Sequence, residues 1–179
     1  MTEVGSVYGQ SLYELAKSEG LTERVRSELA MLRQAFGATP DYLRLLSTPS
    51  LSKEERCRLL DDGFRDKVHI YVLNFLKILT EKGYIRHFSQ CCGTFVDLYN
   101  QDNGILPVTA VTAVALSQEQ AEKLTQKLTR ITGKQIDLRN RIDPAVYGGV
   151  RLDYDGQRLD DTVSHRLDAI RDLLNKTVL

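Results

Sequence analysis

NGILPVTAVTAVALSQEQ, residues 103–120, is the stretch on which the fold turns. Val108, Thr109, Val111, Thr112 and Val114 crowd β-branched side chains into a run with no helical period, so Ile105–Leu116 reads as a strand. Pro107 has no N–H to give to a ladder and belongs at the start of that strand or at an edge. Ser117 and Gln120 then form a capping box that opens a helix carrying Ala121, Leu124, Leu128 and Ile131, closed by Gly133. Further on, Ile136 and Leu138 alternate with polar neighbours, as do Val150, Leu152 and Tyr154, giving two more strands. Asp155-Gly156 is a tight-turn signal. A last helix starts near Thr162, with Val163, Leu167, Ile170 and Leu174 on one side. Residues 105–179 are thus expected to form a small β-α-β-β-α domain.

Upstream of Gly104 every apolar pattern is helical. The first helix, about Glu3 to Ser18, carries Val4, Val7, Tyr8, Leu12, Leu15 and Ala16 and stops at Gly20. Thr22 is placed to cap a second helix with the stripe Val25, Leu29, Leu32 and Phe36. Thr39 and Pro40 open a short third one that must end before Pro49. Ser52-Lys53-Glu54-Glu55 is a capping box for a fourth, ending near Gly63. The fifth, about Asp66 to Glu81, is the most apolar stretch of the chain. The sixth, about Tyr84 to Asn103, shows Ile85, Phe88, Cys92, Phe95, Val96 and Tyr99 on one side. Short loops between six helices predict an antiparallel bundle over residues 1–104, and α+β as the overall class.

Composition narrows the function. The chain has 179 residues, and 42% apolar content excludes a disordered protein. Twenty-four basic side chains balance twenty-four acidic ones, 13 against 14 in residues 1–104, so neither half is a basic block for nucleic acid. Glu3, Glu14 and Glu19 near the start disfavour a signal or transit peptide, and no run is long enough to span a bilayer. Cys57, Cys91 and Cys92 lack CxxC spacing and read as reduced thiols. Gly148-Gly149 is followed by no lysine, so it is no phosphate loop. His69, His87 and His165 show no metal-ligand spacing. Asp153-Tyr154-Asp155-Gly156 lacks the other ligands of a calcium loop. No catalytic residue, metal site or cofactor is expected.

One feature points to binding. Beside its core stripe of Val68, Val72, Phe75, Leu76 and Leu79, the fifth helix has a second stripe of Tyr71, Asn74 and Ile78. The first helix has a matching one in Tyr8, Ser11 and Leu15. A helix apolar over most of its circumference is either a central bundle helix or partly uncovered for a partner. Two such helices side by side would leave a groove for an amphipathic helix from another chain. An unrelated helical adaptor, an RNA-binding module and a small enzyme with an atypical site stand as alternatives.

Several segments resemble the delta subunit family of F-type ATP synthases, whose mitochondrial members are called oligomycin-sensitivity-conferring proteins. These are Tyr8-Gly9-Gln10-Ser11-Leu12-Tyr13-Glu14-Leu15-Ala16, Asn74-Phe75-Leu76 with Leu79 and Lys82-Gly83, and Leu116-Ser117-Gln118-Glu119-Gln120. Asp143, Gly148-Gly149, Gly156, Asp160, Arg166 and Leu167 resemble the closing motif. Gly9 departs from a usual alanine, Tyr84 from a usual arginine, and Asp161-Thr162 from a common Gly-Ser. Gly9 alone should weaken its helix by roughly 0.5–1 kcal/mol. The resemblance implies a non-catalytic stator part. The helical domain would bind the N-terminal helix of an alpha subunit, with Tyr8, Ser11, Asn74 and Ile78 facing it. The second domain would bind the peripheral-stalk b subunits. The protein would then lie peripherally at a bacterial cell membrane, on the cytoplasmic side, and serve ion transport and ATP synthesis through the complex.

Overall fold

The computed structural model of the chain describes residues 3–48, 50–146 and 148–160. They contain seven α-helices and one four-stranded sheet, an α+β protein. The chain divides into two compact units, residues 1–99 and 100–179, the division falling inside the sixth helix.

The first unit holds α1 (Glu3–Ser18), α2 (Thr22–Ala38), α3 (Pro40–Leu46), α4 (Lys53–Phe64) and α5 (Ile70–Glu81), then a 3-10 turn (Ile85–His87) leading into α6 (Phe88–Asp102). The core is the one the apolar periods describe. Val25, Leu29, Leu32 and Phe36 of α2 are buried, as are Val72, Leu73, Phe75, Leu76 and Leu79 of α5. Phe36 sits at the hub of an aromatic cluster. Its ring lies edge-on to Phe64 at 5.7 Å and to Phe88 at 5.1 Å, and stacks on Tyr42 at 6.0 Å. One α2 side chain thereby fastens α3, α4 and α6.

Two helix starts differ from the sequence reading, and a third lacks its side-chain cap bond. Thr22 does not cap α2; Leu21 holds that position without a side-chain bond, its own N–H donating to the Ala16 carbonyl at 2.8 Å. Thr39 holds the N-cap position of α3 with Pro40 in the first turn, as read, but makes no side-chain cap bond, its hydroxyl donating backward to the Ala35 carbonyl at 2.9 Å. The fifth helix begins at Ile70 rather than near Asp66, with His69 as its extended N-cap, Nδ1 accepting the Tyr71 N–H at 3.4 Å. The Ser52–Glu55 box forms in both directions.

The face of α1 also differs. Its buried residues are Gly5, Gly9, Leu12, Tyr13 and Ala16, while Val7 and Leu15 stay exposed. Glycines had no weight in an apolar count, yet here they are the contact. A Cβ built on Gly9 would lie 2.5 Å from the Cys91 carbonyl oxygen and 2.8 Å from the Thr94 Cβ on α6. Glycine lets the two backbones touch.

The second unit runs β1 (Ile105–Thr112), α7 (Gln118–Thr132), β2 (Gln135–Ile142), β3 (Val150–Tyr154) and β4 (Gln157–Asp160), in the sheet order β2-β1-β3-β4. β1 and β2 are parallel, joined through α7, and the other pairings are antiparallel. Pro107 sits in a central strand, but one residue before β3 begins to pair at Val108, so that side of β1 is unpaired there. Asp155 and Gly156, both at positive φ, make the two-residue turn between β3 and β4. The strand after that turn was unread, since its four residues carry only one apolar side chain, the exposed Leu159. β1 stops at Thr112, short of Leu116. Asn140 explains this: its amide nitrogen donates to the Ala110 carbonyl and the Thr112 hydroxyl, and its oxygen accepts the Leu116 N–H, all at 2.9 Å. Those bonds lead the chain off the sheet toward the Ser117 cap. Val108, Ala110, Ile136 and Leu152 form the core, with Leu124 and Leu128 of α7 packed on it. Ile131 is off that stripe and exposed. The helix expected from near Thr162, with Arg166 and Leu167, lies outside the described residues.

Candidate helix-docking surface

Among the described residues, α1 packs against α5. The ring of Tyr8 meets that of Tyr84, in the turn after α5, at 5.9 Å. Tyr84, noted above as a departure, thus buttresses Tyr8. The first half of α1 is set beside the end of α5.

The six singled-out residues all reach the surface at least in part. On α1, Tyr8 is half-buried, Ser11 is exposed and Leu15 is 39% exposed. On α5, Tyr71 is half-buried, Asn74 is exposed and Ile78 is 45% exposed. None is sealed into the core. Each stripe lies directly beside a core face, with Leu12 and Ala16 next to one and Phe75 and Leu79 next to the other. Val7 and Ile70 extend the exposed apolar surface on the two helices.

Local bonds fix these side chains. The Ser11 hydroxyl donates to the Val7 carbonyl at 2.8 Å. The Tyr71 ring lies edge-on to His69 at 4.8 Å. The position of α5 depends on a residue that the sequence reading missed, Glu28 of α2. Its side chain is nearly buried. One oxygen accepts the His69 N–H at 2.7 Å and the other the Arg24 Nε at 2.9 Å. A carboxylate at a helix N-terminus satisfies an orphan amide and opposes the positive end of the dipole. Only its long-range partner distinguishes Glu28 from any surface glutamate, and no local pattern carries that information.

The other chemistry-bearing residues have structural roles. His69 is a helix cap, and His87 lies against the Tyr84 ring at 6.4 Å and beside Gln90. Burial pushes the Cys91 thiol up to about 11 and the Cys92 thiol to about 12. Cys57 is raised by burial and by Glu81, whose carboxylate lies 3.7 Å from its sulfur. None of the three has the electropositive setting of a reactive cysteine. Among the described residues no group of three or more His, Cys, Asp or Glu could hold a metal ion, and no helix is long and apolar enough to cross a membrane.

The family model described as ATP synthase delta (OSCP) subunit matches residues 4–174. The chain belongs to the ATP synthase delta (OSCP) family. It is therefore a non-catalytic stator subunit of F-type ATP synthase, and the adaptor, RNA-binding and small-enzyme alternatives give way. The ATP synthase subunit delta of Alkaliphilus oremlandii is 30% identical over 176 residues, covering 98% of each chain. That of Lactobacillus delbrueckii subsp. bulgaricus is 33% identical over 180 residues, covering 97% of each. A chain in the cryo-EM structure of the Toxoplasma gondii mitochondrial ATP synthase hexamer shares the fold, with a TM-score of 0.78 at 20% identity, over 97% of this chain and 98% of that one.

Proposed function

We propose that the chain ties the catalytic head of the synthase to its peripheral stalk through two separate surfaces. Residues 1–104, six helices acting as one antiparallel bundle, receive the N-terminal helix of an alpha subunit between α1 and α5. Tyr8, Ser11, Leu15, Tyr71, Asn74 and Ile78 line that seat. Residues 105–179 hold the C-terminal part of the b subunits. The chain works peripherally at the cell membrane, on its cytoplasmic side, held there by the complex.

The observation that carries this reading is the pair of partly uncovered stripes on two packed helices, with Leu15 and Ile78 at the surface and Val7 and Ile70 exposed on the same two helices. Covering roughly 400 Å² of apolar area there gains roughly 10 kcal/mol gross at about 25 cal/mol/Å², much of it offset by association entropy. A second attachment at the stalk makes the linkage multivalent, so that one contact can loosen under load while the other holds. Such a clamp needs no catalysis: it stops the head from turning with the rotor. Purification of the native complex tests the reading. This chain is expected to co-migrate with the alpha and b subunits. A complex that retains both but lacks this chain contradicts it.

A further inference from the structure

Of the seven α-helices, α7 alone has no buried residue among those described. Its apolar row is Leu124, Leu128 and Ile131, spaced i, i+4 and i+7. Leu124 and Leu128 lie half-buried against the sheet core, and Ile131 is 70% exposed. A second row runs in step with it, one residue earlier at each turn: Lys123, Lys127 and Arg130, all exposed. Lys134 follows just past the Gly133 cap. Residues 123–136 hold these four cations and no Asp or Glu, in a chain of zero net charge.

Lys123 is paired, its Nζ lying 2.6 Å from the Glu119 carboxylate. Lys127, Arg130 and Lys134 have no carboxylate partner among the described residues. The helix dipole favours cations only in the last turn. It accounts for Arg130, but Lys127 stands further in, four residues from Lys123, where like charges repel. Nor does the dipole explain a β-branched apolar side chain left in water beside them. A partner that brings carboxylates to the cations and an apolar side chain to Ile131 satisfies both features at once. A membrane fits less well: α7 turns Leu124 and Leu128 to its own sheet, and a single exposed apolar residue is too little to hold a helix in the lipid interface.

Independently of the α1–α5 seat, we infer that this face of α7 docks an acidic amphipathic segment of another polypeptide of the synthase. Its carboxylates meet Lys127, Arg130 and Lys134, and its apolar side chain covers Ile131. The charges set approach and register, and Ile131 supplies the apolar centre.

Amine labelling with an acetylating ester, read by mass spectrometry, compares the native complex with the free chain. Lys127 and Lys134 are expected to react several-fold more slowly in the complex, and equal rates overturn the inference. Carbodiimide, which joins lysine amines to carboxylates in contact, is expected to link Lys127 or Lys134 to an Asp or Glu of another subunit. Protection without any such link overturns the acidic partner. A chain carrying Lys127→Glu, Arg130→Glu and Lys134→Glu together adds a third readout. Circular dichroism checks its helix content; if that is lost, labelling and cross-linking decide alone. Titrated back into complex depleted of this subunit, the folded variant is expected to bind about tenfold more weakly than the unmodified chain at low salt, with the gap closing at high salt. Equal affinity at low salt overturns the inference. So does capture of the unmodified chain, but not the variant, by phosphatidylglycerol vesicles with no link in the complex, which would assign the face to a membrane.

Discussion

An added methyl on Gly9 would press against the Cys91 carbonyl oxygen at 2.5 Å, a backbone atom that cannot swing aside, and against the Thr94 Cβ at 2.8 Å. Helix propensity alone favours alanine there by about 1 kcal/mol. Overpacking of a tight contact costs about 1–3 kcal/mol, so the contact wins. Gly9→Ala is expected to lower stability by up to about 2 kcal/mol in urea unfolding, and a stabilised variant contradicts the close approach of α1 to α6. Glu28 is the other residue whose worth no local pattern reveals. Glu28→Ala leaves the His69 amide unpaired and is expected to cost about 2 kcal/mol, read by the same unfolding curves. At this scale the sequence was legible where a side chain was large and apolar: Val25, Leu29, Leu32 and Phe36 all went to the core as their spacing required. It was illegible where contact was made by a missing side chain, as at Gly9, or by a distant partner, as at Glu28 or Asn140.

At the scale of elements, the reciprocal boxes were readable because both halves lie within four residues. Ser52–Glu55 and Ser117–Gln120 form as spaced. The lone threonines made no side-chain cap bond: Thr22 lies inside α2, and Thr39, though at the N-cap position of α3, gives its hydroxyl to the Ala35 carbonyl. The two boxes differ in a testable way. Hydrogen bonds from the Ser52 backbone and side chain hold the Glu55 carboxyl below its ordinary value. A lowered folded value means that the box contributes in full above the ordinary glutamate range and is lost as pH falls through the folded value. The gap in urea midpoint between the unmodified chain and Glu55→Ala should therefore shrink on acidification. The gap for Gln120→Ala, whose amide does not titrate, should change little. A Glu55 gap that grows toward acid contradicts the box. Thiol labelling checks another element: with Cys91 and Cys92 buried on α6 and pushed to about 11 and 12, only Cys57 of α4 should react in the native protein at mildly alkaline pH. Rapid modification of all three contradicts the packing of α6.

At the scale of the molecule, the change of period after Gly104 announced a helical unit followed by a mixed one. β4 stayed hidden because an edge hairpin strand with one exposed apolar residue has no alternation to read. The proposed docking surface rests on an excess of apolar residues on α1 and α5, more than one core face requires. What periodicity could not decide was whether self-packing consumed that excess, and Leu15 and Ile78 answer it by remaining at the surface. The account stands on that surface taking a foreign helix. Calorimetry of folded Ile78→Asp against the alpha-subunit N-terminal peptide tests it most directly. A charge placed in the seat is expected to reduce affinity by a hundredfold or more, on the order of 3 kcal/mol, with the unfolding free energy within about 0.5 kcal/mol of the unmodified chain because the site is exposed. Unchanged affinity in the folded variant would contradict the account.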